Sequence, residues 1–385
     1  MTWNWEKPDW PKFHWDAARL AVAEREFLIA GGMFAGTVKH LGDEERQQLT
    51  VESMSQEAVT TSEIEGEVLD RASVQSSIRR QLGLTADQRS VQPAEEGVAE
   101  MMVDLFRSFA APLTAEMLFG WHRMLMSGRK DLTDFARYRT SKEPMQVVSG
   151  ATGKPQVHFE APPSARLPQE MKQFIDWFNR TEHGGPEPVP AISRAGAAHL
   201  YFECVHPFED GNGRIGRAIS EKALAQSLGQ PTLTALAATI LARRKTYYDA
   251  LEAANKQLEI TGWLAWFAGI TIEAQRRTLA LIEFLIAKTK LFDRLKGQIN
   301  ERQVKALLRM FREGPDGFKG GLTAGKYATI IGASPATTTR DLVDLIEKGA
   351  LVRSGELRYA RYQLGVPLHV LRRVEIGEDG NLVES

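Results

Sequence analysis

Apolar residues recur at three- and four-residue intervals along most of this chain, the spacing of helices with one buried face. Ala18, Leu20, Ala21, Ala23 and Phe27 form such a stripe within residues 16–42. Residues 43–69, 72–92 and 94–110 continue as helices, the second running into a polar stretch. Thr114 is placed to cap the next, which runs to about Met126. Further helices are expected over 167–181, 193–205, 215–228, 231–242, 243–257 and 261–290. In the second of these, Ile192, Ala195, His199, Phe202 and His206 keep the helical spacing, and Pro207 forces His206 out of the α region. Two short strands are expected at Met145, Gln146, Val147, Val148 and at 156–159, which holds Val157, His158 and Phe159. Turn residues fill 149–155 between them. Three more helices, 299–313, 323–331 and 334–349, precede strands at 351–354 and 357–363 around Gly355.

Composition changes this picture little. The 385 residues are 43% hydrophobic and 25% charged with net charge −1, ordinary for a soluble globular protein and no lure for nucleic acid or membrane. The single cysteine, Cys204, excludes an internal disulfide and a cysteine zinc site. The apolar run at 279–287 is too short to span a bilayer, and residues 1–8 lack a signal core, so a cytoplasmic protein is expected. Trp3, Trp5, Trp10 and Trp15 are half of the eight tryptophans, and with Pro8 and Pro11 they suggest an extended strap pinned by aromatic burial.

Candidate chemistry concentrates in twelve residues, from His206 to Arg217. Gly211, Asn212 and Gly213 lead into a helix, an arrangement that turns backbone N–H groups and a positive helix end toward an anion. Arg214 and Arg217 lie three apart on one face of the first turn, suited to clamping phosphates. Asp210 is one carboxylate, enough for Mg²⁺ when phosphate oxygens and water complete the shell. His206 is a plausible acceptor for a hydroxyl proton. Gly211, Gly213 and Gly216 also satisfy the G-x-G-x-x-G dinucleotide fingerprint. That motif needs a preceding strand, and the segment here reads as a helix. A near P-loop at 320–326 fails because Tyr327 stands where Ser or Thr is required.

His206-Pro-Phe-Glu-Asp-Gly-Asn-Gly-Arg-Ile-Gly-Arg217 resembles the signature of the Fic (Fic/Doc) family at every fixed position. The resemblance implies an all-α Fic fold with a small β-hairpin flap. It implies transfer of AMP from ATP to a Ser, Thr or Tyr hydroxyl of a target protein. By resemblance His206 is the general base and Asp210 the Mg²⁺ ligand. Gly211, Asn212, Gly213, Arg214, Ile215, Gly216 and Arg217 would hold the phosphates, and Tyr248 would border the adenine. Thr61, Glu65 and Gly66 match the family's inhibitory-helix pattern, with Glu65 expected on Arg217. The 145–148 and 156–159 hairpin, entered through Tyr138 and Arg139, would be the flap that docks the target.

The C-terminal element order resembles a winged helix-turn-helix. Residues 301–373 hold 13 Lys/Arg against 7 Asp/Glu, yet Asp341, Asp344 and Glu347 on the expected recognition helix would repel phosphates. A protein-recruiting module is therefore favoured there, with DNA binding open. The expected division is 1–110 for the strap and inhibitory helices, 111–265 for the catalytic core, 266–298 for a linker helix and 299–385 for the winged helix. Alternatives stay open: removal of AMP, transfer of another nucleotide or phosphate group, or a DNA-binding regulator with a nucleotide-sensing loop. Homodimerisation is a family habit that no residue here proves.

Overall fold

The computed structural model describes residues 2–149, 156–232, 234–314, 317, 318, 320–367 and 371–385. Most of the turn expected at 149–155 lies outside them. The chain forms two units: Met1–Gln275 with Arg372–Ser385, and Arg276–Leu371.

The first unit begins with α1 (Ala17–Lys39), α2 (Asp43–Ile64), α3 (Arg71–Gln81), α4 (Pro93–Ser108) and α5 (Ala115–Leu125). A hairpin follows, β1 (Gln146–Ser149) and β2 (Gln156–Glu160), and then α6 (Leu167–Arg180), α7 (Ala191–Val205), α8 (Asn212–Leu228), α9 (Leu236–Ala242) and α10 (Arg244–Ala254). Helix α11 (Thr261–Arg294) leads out of this unit.

The core is built on α7, which is buried on nearly every side. Small residues allow this. A Cβ on Gly196 would strike Leu264 and Phe267, and the Gly196 carbonyl accepts the Trp263 indole N–H at 2.8 Å. Glu24 from α1 caps the α7 N-terminus, accepting from Ile192 N at 2.9 Å and Ser193 N at 2.7 Å. The N-terminal segment is pinned by its aromatics as expected, but it is not extended: residues 4–6 form a 3-10 helix and turns follow. Trp3 packs edge-on to Phe159 at 5.4 Å, Trp5 donates to the Glu160 carbonyl, and Trp10 donates to Glu170.

Several boundaries differ from the sequence expectation, and two of them shape the site. Helix α2 stops at Ile64 instead of running to 69, because Gly66 turns left-handed (φ 86°) and Glu67 N–H returns to the Ser62 carbonyl at 3.0 Å. That stop aims Glu65 and Glu67 sideways. Helix α8 starts at Asn212 and not at 215, so Gly213 and Arg214 belong to its first turn. Residues 372–385 do not end a winged helix. They return to the first unit as β5 and β6, described below, where Arg19 donates to the Gly377 carbonyl at 3.1 Å.

The second unit holds α12 (Glu301–Arg312), α13 (Ala324–Ile331), α14 (Pro335–Glu347) and the antiparallel pair β3 (Leu351–Ser354) and β4 (Arg361–Leu364). Leu322 bridges Tyr362. The strand expected from 357 begins only at Arg361, since Leu357 takes φ 48° and 357–359 close into a 3-10 turn. Asp341 and Asp344 correct the expectation of an acidic outer face. Asp341 is buried against Arg302 (3.1 Å), and Asp344 accepts from Gln303 and Lys348. The first unit is completed by β5 (Val374–Ile376) and β6 (Leu382–Glu384). Among the described residues, no helix is long and apolar enough to cross a membrane.

Candidate active site

Helices α7 and α8 form a hairpin whose connection, residues 206–211, is the first half of the twelve-residue motif. His206 caps α7 in the left-handed region (φ 48°, ψ 62°), a conformation disfavoured for a residue with a Cβ. Arg139 holds it there. Its Nε donates to the His206 carbonyl at 2.8 Å, its Nη2 to the Pro162 carbonyl at 2.6 Å, and its N–H to the Pro207 carbonyl at 2.9 Å. Phe208 turns inward and stacks on His122, ring centroids 4.4 Å apart. Glu209 points outward and accepts from Thr133 N and Asp134 N, fixing the neighbouring loop.

Asn212 closes the loop on itself. Its Oδ1 accepts from Phe208 N at 3.0 Å and its Nδ2 donates to the Phe208 carbonyl at 2.8 Å. The side chain expected to meet phosphate is thus committed to loop shape. Asn212→Ala leaves two buried backbone groups unpaired, an expected loss of about 2–6 kcal/mol at roughly 1–3 kcal/mol per group. A urea melt checks this, and an unchanged midpoint contradicts it.

The phosphate cradle is narrower than the sequence suggests. Gly211 N–H is spent on the Asp210 carboxylate at 2.6 Å and Ile215 N–H on the Gly211 carbonyl at 3.1 Å. The Ile215 side chain is wholly buried, and Gly216 lies inside α8. A Cβ on Gly216 would strike Glu203 and His199, so its smallness serves packing. The amides of Asn212, Gly213 and Arg214 remain as the cradle, at the helix end where the dipole favours anions. A Cβ on Gly213 would overlap the Glu65 carboxylate, and Gly211 (φ 81°) supplies the turn into the helix.

Both expected clamp arginines are already paired. Arg217 Nη2 meets Glu65 Oε1 at 2.6 Å and the Thr61 carbonyl at 2.9 Å, while its Nε donates to Thr61 Oγ1 at 2.7 Å. Arg214 Nη1 meets Glu67 Oε2 at 2.6 Å. The arginine side chains are 3% and 6% exposed, those of Glu65 and Glu67 31% and 38%. Sequence reasoning found Glu65 and Thr61 but missed Glu67, whose only signal is its position two residues beyond Glu65. Asp210 Oδ2 accepts from Arg129 at 2.8 Å, an arginine that no motif marks, and that also pairs with Asp131.

One cavity of about 540 Å³ gathers Glu65, His206, Gly213 and Tyr248 with the flap residues Val147, Val148, His158 and Phe159. Met145, Gln146 and Val157 are not in its lining. Val157 is paired with Val148 across a bulge, and Gln146 with Glu160. His158 ties the flap to α10, with Nδ1 2.7 Å from Glu252 and Nε2 2.6 Å from Ser149 Oγ. Tyr248 is exposed on the cavity wall, whereas Tyr247 is buried against His199 at 2.8 Å. Glu203, one turn before His206, also lines the cavity. Burial first, then the Glu65 charge, push its carboxyl up to about 8.

The half-buried His206 ring is held down to about 4 by loss of water and then by the Arg139 charge, against the opposing pull of Glu65 and Asp210. It is therefore neutral, and able to accept a proton, from about pH 5 upward. Removing Glu65 removes one of the groups that raise it. The acid limb of kcat/KM in Glu65→Gly protein is expected near pH 4; a limb at the ordinary imidazole value near 6.5 contradicts a desolvated base.

A helical hairpin thus brings a histidine and the glycine-led start of a helix to one cavity, beside two buried, carboxylate-paired arginines. The Fic/DOC family pattern matches residues 112–224, and a domain of unknown function, DUF4172, matches residues 3–84. The chain carries a Fic family domain. It is 29% identical over 134 residues to protein adenylyltransferase fic-1 of Caenorhabditis elegans, 35% of this chain and 22% of that protein. It is 26% identical over 98 residues to a probable protein adenylyltransferase of Aquifex aeolicus, 26% of this chain and 27% of that one. The matches span less than a third of either relative's length. In fold it resembles a Fic family protein from Desulfovibrio desulfuricans G20 (TM-score 0.50, 21% identity, 89% of this chain and 95% of the other). It also resembles a Fic domain containing signaling protein from Bacteroides thetaiotaomicron (TM-score 0.51, 15% identity, 67% and 95%).

Proposed function

We propose that this chain is a protein adenylyltransferase held in an inhibited state by α2. The observation that carries the reading is His206 in one cavity with Gly213 of the α8 cradle, the flap and the Glu65 carboxylate. ATP would lay its phosphates on the Asn212 to Arg214 amides and its base against Tyr248. A target segment would add to the flap by β-augmentation and bring its hydroxyl to His206. The hydroxyl oxygen bonds to the α-phosphorus, the bond from that phosphorus to the bridging oxygen breaks, pyrophosphate leaves, and His206 takes the hydroxyl proton. Most of the rate then comes from positioning and from charge laid out in advance.

Asp210 fits Mg²⁺ as its one protein carboxylate, once Arg129 swings toward Asp131. When bound, the ion would neutralise the phosphate oxygens. Among the described residues, no group of three metal-ligating side chains exists to hold an ion without the nucleotide. Glu65 and Glu67 together occupy the two arginines that would otherwise grip the outer phosphates. The test is label transfer from α-labelled ATP to the chain itself or to lysate proteins, and absence of transfer from the Glu65→Gly protein would refute the reading.

A second reading concerns the unit at 276–371. Its three helices, hairpin and Leu322–Tyr362 bridge support a winged helix. With Asp341 buried on Arg302 and Asp344 offset by Lys348, the electrostatic objection to DNA weakens, although Glu347 stays exposed. Exposed Val343, Val352, Leu357 and Tyr359 favour a protein partner instead. A gel shift on genomic fragments separates the two.

A further inference from the structure

Away from the site, in the first unit, a second cavity of about 410 Å³ opens between the start of α10, α11 and β5. Five cationic side chains line it: Arg19, Arg243, Arg244, Lys245 and Arg373. Glu375 is the one carboxylate in its lining. Arg243 is offset by Glu273, and Lys245 by Asp249 at 2.6 Å. The other three have no carboxylate partner among the described residues. Arg19 donates to a carbonyl, that of Gly377. Arg244 lies over the Tyr248 ring at 5.8 Å. Arg373 side-chain nitrogens take part in no ion pair or hydrogen bond there.

Such crowding is unfavourable without a counter-charge. The N-terminus of the eleven-residue α10 adds to the positive potential, with no side-chain cap and no acidic residue in its first turn. Arg243 is nine-tenths buried, and its Nε is enclosed without a partner. Trp266, half-buried and stacked on Trp263 at 5.5 Å, gives the cavity an aromatic wall. The volume falls in the range of small-ligand pockets.

We propose that this cavity is a second anion site, taking a small phosphorylated molecule whose phosphates lie among Arg19, Arg244 and Arg373 beside Trp266. Arg244 lines both this cavity and the one holding His206, and Tyr247 and Tyr248, three and four residues further along α10, line the latter. A phosphate that draws Arg244 toward itself unloads the Tyr248 ring, so occupancy reaches the wall assigned to the adenine. That consequence rests on the proposed function; the binding does not.

Calorimetry on the full chain, with tripolyphosphate and separately with ATP, tests the site without any transfer assay. Tripolyphosphate is expected to show a binding component, separate from any at the α8 cradle, that weakens about tenfold or more in Arg373→Ala, the loss of one charge-assisted contact. Arg373→Lys is expected to keep most of the affinity, which a folding defect would not allow. Arg214→Ala, in the catalytic loop, is expected to leave it unchanged. Tighter binding of ATP that Trp266→Phe reduces identifies a nucleotide as the occupant. Equal binding of the two identifies the phosphate chain as what is read. No binding to the unaltered protein, binding indifferent to Arg373→Ala, or binding lost in Arg214→Ala overturns the proposal.

Discussion

His206→Ala, placed in the Glu65→Gly protein, is expected to lower AMP incorporation by about 10²–10⁴, the usual worth of a positioned general base. The geometry explains the size. Arg139 fixes the left-handed turn through the His206 and Pro207 backbone, which the substitution leaves intact, so the cradle and clamp survive and only the proton acceptor is lost. ATP affinity should therefore change little while the rate collapses. A loss of binding without a loss of rate at saturation would assign His206 to the wrong role. Arg139→Ala is the useful contrast, because it frees the turn itself.

The inhibitory contact supplies the second large effect. Glu65→Gly alone is expected to raise self-modification about ten- to a hundredfold, the equivalent of one charge-assisted bond of roughly 1.5–3 kcal/mol. The Arg217 partner is buried, and once Glu65 is gone Glu67 still ties down Arg214. Adding Glu67→Ala should raise activity further, by a smaller factor, since the Glu67 side chain is 38% exposed and screened by solvent. Raising the salt concentration should mimic part of the second step and little of the first. Equal rates in the single and double variants would show that Arg214 is not restrained.

The helical pattern made most of the fold legible, because burying one face of each element leaves a period in the sequence. The loop was legible for another reason: Gly211 and Gly213 mark a left-handed turn and a close approach that tolerate no side chain. What the sequence concealed were contacts between distant elements. Arg129 on Asp210 and Glu67 on Arg214 join residues 81 and 147 positions apart, with no local spacing to betray them. Asn212 looked like a phosphate ligand because an amide side chain suits one; only the fold shows that Phe208 has already taken it. The pairing of Asp341 and Asp344 was hidden similarly, since charge counting along α14 cannot see Arg302 and Gln303 on α12.

Intact-mass spectrometry of the Glu65→Gly protein after incubation with Mg²⁺ and ATP tests the central claim most directly. The account expects a population heavier by one adenylyl group, absent when His206 is also replaced by Ala. An unshifted mass, a gain of a bare phosphate, or an adenylyl adduct that persists without the imidazole contradicts it.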